Sequence, residues 1–222
     1  MKNGIAMGKH QQTILWLVAT LLIVSFLGFR KTYFGQFPHF EDTTWVVHFH
    51  VFSILCWFSI LVAQASLAKS GRLDLHRQIG RFSFILVPLI LVGFALVTHQ
   101  GQMRHKQPDL FGATLFDAGL FLLFYALAMA NRRNPAHHAR YMILSAVPFL
   151  NPGLGRFIGP EVSVPVEFLL ILTLLLTAYF RKQPYRPYLV GLGCMVLLLS
   201  GIVYVSVIEP SVMEWIWAAI WG

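Results

Sequence analysis

Seven apolar blocks, near 12-29, 44-68, 80-98, 111-130, 141-158, 163-180 and 188-208, take up most of the 222-residue chain. A helix crossing about 30 Å of hydrocarbon needs roughly 20 apolar residues, and most of the blocks reach that length. The fold class expected is all-α: a polytopic membrane helix bundle of about seven transmembrane helices. Connections are short, at Phe29 to Thr43, Lys69 to Gly80, His99 to Leu110, Asn131 to Arg140 and Arg181 to Pro187. They make successive spans antiparallel neighbours and leave no room for a separate soluble domain, so residues 1-222 read as a single transmembrane helical domain. Charged residues make up 12% of the chain, against about 25% in soluble domains.

A net charge of +8 raises the question of nucleic acid, but the basic residues sit in the turns between the blocks. Lys2, Lys9, Lys69, Arg72, Arg77, Arg81, Arg132, Arg133, Arg140, Arg181, Lys182 and Arg186 fall on one side, and Arg30, Lys31, Arg104, Lys106 and Arg156 on the other. This asymmetry orients the chain with its N-terminus in the cytoplasm and its C-terminus outside. No nucleic-acid partner is implied. The expected location is a cell membrane, multi-pass, which in a bacterium is the inner membrane. The first block, after Lys9 and His10, is too long for a signal-peptide core and is expected to stay as an anchor. Cys56 and Cys194 fall in mid-span and read as packing residues.

The fifth block is interrupted by Pro148, Pro152, Gly153, Gly155, Gly159 and Pro160. A helix broken in this way must be buried in protein or line a polar cavity. After Pro210, residues 211-222 are too short to span, and Trp215 and Trp217 mark them as an interfacial segment.

Nine histidines in a chain this apolar are the main chemical signal. His10, His39 and His105 read as solvated loop residues. His48 and His50 point about 200° apart on a helix; Ser53, Trp57 and Gln64 continue a stripe from His50, which favours His50 as the inward residue. Asp117 and Glu167 lie toward the same outer side. With His50, and with His99 and Arg156 nearby, they outline a polar pocket whose imidazole and carboxylate donors suit a divalent metal. An acid paired with Arg156 to fix packing is the plainer alternative.

On the inner side the chain reads His76-Arg77-Gln78-Ile79-Gly80-Arg81, and later His137-His138-Ala139-Arg140-Tyr141-Met142. Imidazoles from two helices are what a haem b iron takes as axial ligands, with Met142 as another axial option. Arg77 and Arg81 suit the propionates. Anionic lipid headgroups held by the same arginines are the competing reading.

His50 with Gln64, the HR-x-x-GR run at His76 to Arg81, the H-x-R-Y-M run at His138 to Met142, and Arg156 together resemble a bacterial family of polytopic membrane proteins of unknown function. That likeness covers residues 44-158 and implies a fold and candidate residues rather than a reaction. The placement of His50 and His99 at one face, and His76 and His138 at the other, is also similar to diheme transmembrane b-type cytochromes. His76 and His99 are 23 residues apart, about 35 Å if helical, which puts His76 beyond the membrane core. Seven-span zinc hydrolases draw histidines from their last span, and Leu189 to Ile208 has none.

Three expectations follow. The first is a haem- or metal-binding redox protein in the lipid bilayer, with His50, His76, His99 and His138 as candidate ligands. The second is a non-enzymatic subunit or assembly factor with a membrane-protein partner. The third is a small-solute or proton pathway through Asp117 and Glu167. No Walker loop, G-x-S-x-G elbow or nicotinamide fingerprint occurs.

Overall fold

The computed structural model describes residue 16 and residues 18-105, 108-204, 207 and 210-221. Lys2, Lys9, His10, Lys106 and residues 12-15 and 17 of the first apolar block lie outside the described residues. Within them the chain is helical, without a strand. Helix α1 covers Val18–Phe29. It is followed by α2 (Trp45–Lys69), α3 (Leu73–Gly80), α4 (Ser83–His105), α5 (Pro108–Ala130) and α6 (Pro135–Leu144), and then by α7 (Leu150–Ile158), α8 (Pro160–Phe180), α9 (Arg186–Val203) and α10 (Pro210–Trp221).

Five helical stretches are long and apolar enough to cross a membrane: Trp45–Lys69, Leu73–Met103, Phe111–Ala130, Glu161–Phe180 and Arg186–Val203. Between 22% and 39% of the residues in their most apolar windows are buried. The rest present apolar surface such as Leu169, Phe180 and Leu197, and helices apolar all round belong in lipid. The chain is a multi-pass membrane protein.

Of the seven expected spans, two are not among these five stretches. The first is described only from Val18 to Phe29. The fifth is divided into α6, a 3-10 turn at Val147–Phe149, and α7. Pro148 lacks the N–H that would continue the helix from Leu144. The broken stretch is buried at Val147, Pro148, Phe149 and Leu150, as backbone at membrane depth must be.

Packing runs through two cores that share α5 and the broken segment. One gathers Leu21, Trp57, Phe58, Ile90, Phe121, Phe149 and Leu154 from α1, α2, α4, α5, the 3-10 turn and α7. The other gathers Phe124, Tyr141, Leu144, Ile171, Tyr188 and Met195 from α5, α6, α8 and α9. Gly28 on α1 lies against the backbone of Gly153 on α7, a small-residue crossing of the kind that lets membrane helices approach closely.

The expected loop from Lys69 to Gly80 instead contains a helix. Gly71, at φ +72, ends α2: its N–H bonds Ala68 O, and Arg72 N–H bonds Leu67 O. This is a glycine C-cap with two reversed bonds, and it starts α3 across the end of the bundle. Leu75, His76, Ile79 and Gly80 are half-buried, while Asp74, Arg77, Gln78 and Arg81 are exposed. Lys182, at φ +52, closes α8 in the same way, with Gln183 N–H on Ala178 O.

Candidate functional site

Helices α2, α5 and α8 end, and α3, α4, α6 and α9 begin, at one basic end of the bundle, and there His76 and His138 meet. Their ring centres are 6.5 Å apart with planes at 78°. His76 Nδ1 is 3.2 Å from the Gln64 carbonyl on α2, and His138 Nδ1 is 2.9 Å from the Ala128 carbonyl on α5. Ala128 lies in the last turn of α5, where Arg132 N–H turns back to Met129 O, so His138 satisfies an acceptor the helix end leaves open. The Asn134 side chain caps α6 by accepting from His137 N–H, and Pro135 opens the helix; the two set the angle at which α6 presents His138.

A carbonyl oxygen can only accept, so Nδ1 carries the proton in both rings. In the neutral tautomer each Nε2 keeps its lone pair, and among the described residues the hydrogen bonds of both rings are those of Nδ1. Burial, opposed by the Ala128 carbonyl and reinforced by His76, holds the His138 pKa below its ordinary value. Its neutral form is favoured.

Behind the pair lies a group of buried polar side chains. Gln64 is 9% exposed, and both polar atoms of its carboxamide lack a hydrogen-bond partner. A Cβ at Gly80 would stand 3.6 Å from Gln64 Nε2, so α3 approaches the carboxamide through a residue without a side chain. Trp57 Nε1 is also buried without a partner, with its ring edge-on to Phe121 and Tyr125. Ser83 donates to Gly80 O, which leaves Tyr125 as the donor in its 2.8 Å bond with Ser83.

Arg77 on α3 and Arg81 just after it are exposed, and Arg77 pairs with Asp74 at 3.2 Å. They do not converge on the imidazoles. Arg140, buried at 3% exposure, faces the other way: it donates to Ala136 O and Gln183 Oε1 and lies over the Tyr188 ring. Met142 is half-buried one turn beyond His138, against both cores.

At the opposite end the expected pocket is not assembled around one ion. His50 faces α4, its Nδ1 3.1 Å from a Cβ position on Gly93 and its ring 5.0 Å from that of Phe94. His48 turns to Tyr33, at 2.8 Å from the phenol oxygen. Thr44 bonds Gln100, and His99 lies six residues past Gly93, about 9 Å along the helix, so His50 and His99 are at different levels. Asp117 accepts from Asn151 at 2.9 Å. Arg156 is exposed, donates to its own Pro152 O and lies over Phe29, so the alternative of an Arg156 ion pair does not form. Among the described residues no three His, Cys, Asp or Glu side chains gather to hold a metal ion, and His50, Asp117 and Glu167 are not such a group.

Sequence reasoning missed Asn151, Ser163, Tyr125 and the α3 helix. The signal for α3 was present in the spacing of Leu75, His76, Ile79 and Gly80, which share one helical face. No protein family, curated protein or solved structure matches the chain.

Proposed function

We propose that this multi-pass membrane protein binds a haem b iron between His76 and His138 and serves as a membrane redox protein. The observation that carries the reading is the imidazole pair: rings 6.5 Å apart, each with Nδ1 committed to a backbone carbonyl. Metal-bound histidines nearly always donate their second ring nitrogen in this way. With metal–nitrogen distances of about 2.0–2.1 Å, two imidazoles on opposite sides of one ion have centres roughly 6–6.5 Å apart. With no third His, Cys, Asp or Glu donor gathered among the described residues, the two imidazoles would suit haem better than a four-ligand zinc site. The unpartnered Gln64 carboxamide beside His76 supplies hydrogen bonds for a polar edge of the bound group.

Bound haem supplies one-electron chemistry. The protein residues hold it, keep both Nε2 atoms unprotonated and exclude water through the Trp57 and Phe121 core. Electrons come from a partner protein or the lipid phase, since no nucleotide fingerprint is present. In this reading the basic end is cytoplasmic, the chain crosses seven times with its C-terminus outside, and in a bacterium the protein resides in the inner membrane. A divalent metal on the same pair is the second reading, favoured by the same ring spacing.

Absorption spectra of the purified protein, oxidised and dithionite-reduced, with elemental analysis on the same sample, test both. A reducible Soret and α-band lost in His138→Ala supports haem, and stoichiometric metal without those bands supports the second reading. A featureless spectrum without metal, from folded protein purified with haem supplied during expression, overturns both.

A further inference from the structure

We infer that Glu167 and Asp117, with the side-chain oxygens of Asn151 and Ser163, form a buried binding site for a hard, oxygen-ligated cation, separate from the histidine pair. Glu167 is 0% exposed and Asp117 3%. Both oxygens of Glu167 are buried without a hydrogen-bond partner. Asn151 links the other members, donating to Asp117 Oδ1 and accepting from the Ser163 hydroxyl.

Glu167 is seven residues into α8 and Asp117 nine into α5, roughly 10–14 Å below the opposite end. At that depth a carboxylate needs a counter-charge. Among the described residues none is supplied: their one ion pair is Arg77 with Asp74, and Arg156 is exposed over Phe29. The Asn151 N–H, at the start of α7, faces Glu167. A proton would neutralise Glu167 but leave its oxygens still unpartnered, whereas a coordinated cation satisfies them.

The donor set defines the ion. Side-chain oxygens from four residues, without nitrogen or sulfur, select Na⁺, Mg²⁺ or Ca²⁺ over zinc or copper. The broken α6–α7 segment, from which Asn151 projects, is the kind of element that lines ion sites in membrane proteins.

The test uses the full chain in lipid nanodiscs. Thermal unfolding is followed in NaCl, MgCl₂ and CaCl₂ against choline chloride at equal ionic strength, with equilibrium dialysis and elemental analysis on the same samples. The expected result is that one cation binds at one per chain and raises the melting temperature, and that Glu167→Gln abolishes both effects. Glu167→Gln removes a buried charge, so it should still fold and be more stable than the parent in choline; Asp117→Asn gives the second measure. If no cation binds or shifts melting, or if the shift is the same in folded Glu167→Gln, the site does not exist. The histidine-pair reading is unaffected by that outcome, since its readout is the absorption spectrum.

Discussion

The imidazoles of His76 and His138 lie 6.5 Å apart with planes at 78°, while each is tied by Nδ1 to a different long helix, His76 to the Gln64 carbonyl of α2 and His138 to the Ala128 carbonyl of α5. The two short helices carrying them, α3 and α6, are thereby fixed to the end of the bundle. Replacing either histidine with alanine has two separable effects. On the proposed reading haem loses a direct ligand, so its affinity should fall by more than the roughly 10–100-fold typical when only an outer partner is removed. The carbonyl also loses its partner, costing about 1 kcal/mol. Titrating haem into His76→Ala, His138→Ala and Arg77→Ala proteins checks the first effect. Arg77 is exposed and paired with Asp74, so its replacement should leave haem affinity unchanged; an equal loss in Arg77→Ala would point to nonspecific attraction by the basic end.

On the proposed reading, acid should release haem. The His138 pKa is held below the ordinary histidine value by burial, with His76 adding to the effect. A base with a depressed folded-state pKa contributes full stability above its unfolded pKa, about 6.5, and that stability is lost as pH falls through the folded pKa. Protonation also removes the Nε2 lone pair. Melting temperature and haem occupancy should both decline below about pH 6.5. His138→Ala should flatten the acid limb of the melting curve. An unchanged limb in that variant would assign the pH sensitivity to another group.

Much of the bundle is legible in the sequence because hydrophobic length is a direct measure of lipid depth. Blocks 44-68 and 111-130 match α2 and α5 within a few residues. The inward stripe on α2 is also visible from spacing, with Ser53, Trp57 and Gln64 buried. Two features were hidden for physical reasons. The α3 helix is only eight residues long, and its half-apolar face between two spans reads as a loop when hydropathy is averaged. The α6–α7 break was visible from its prolines, but not that it would carry Asn151 to Asp117. The meeting of His76 with His138 depends on the tertiary placement of two helix ends, which no local pattern encodes. Arg77 and Arg81 look like haem partners by proximity in sequence, yet α3 turns them outward because its other face must cover the ends of α2 and α4.

Helix α1 is held by a glycine crossing. Gly28 meets the Gly153 carbonyl and Cα so closely that no side chain fits between them. Gly28→Ala must push α1 away from α7 and open the contacts of Leu21 with the first core. Overpacking of this kind costs about 1–3 kcal/mol, partly offset by the better helix propensity of alanine. The variant should melt earlier and be cleaved sooner near residues 30–44 by added protease. Gly193→Ala on α9, where nothing lies within 4 Å, should be neutral or slightly stabilising.

Arg140 and His138 are two residues apart on α6 and point about 200° from one another, so one short helix serves two contacts. Arg140 fastens α6 to the turn after α8, through Gln183, and to Tyr188 on α9. That turn exists because Lys182 takes a left-handed conformation and delivers Gln183. Gln183→Ala should cost about 1.5–3 kcal/mol, the usual value of a hydrogen bond to a charged group, and should leave the haem spectrum unchanged, because Gln183 lies on the far face of α6 from His138. Lys182→Gly removes the strain of a side chain at positive φ and should stabilise the turn. If Gln183→Ala shifts the Soret band as His138→Ala does, the two faces of α6 are coupled and α6 moves as a rigid lever on the histidine pair. Thermal melting and absorption spectra of the two variants separate these outcomes.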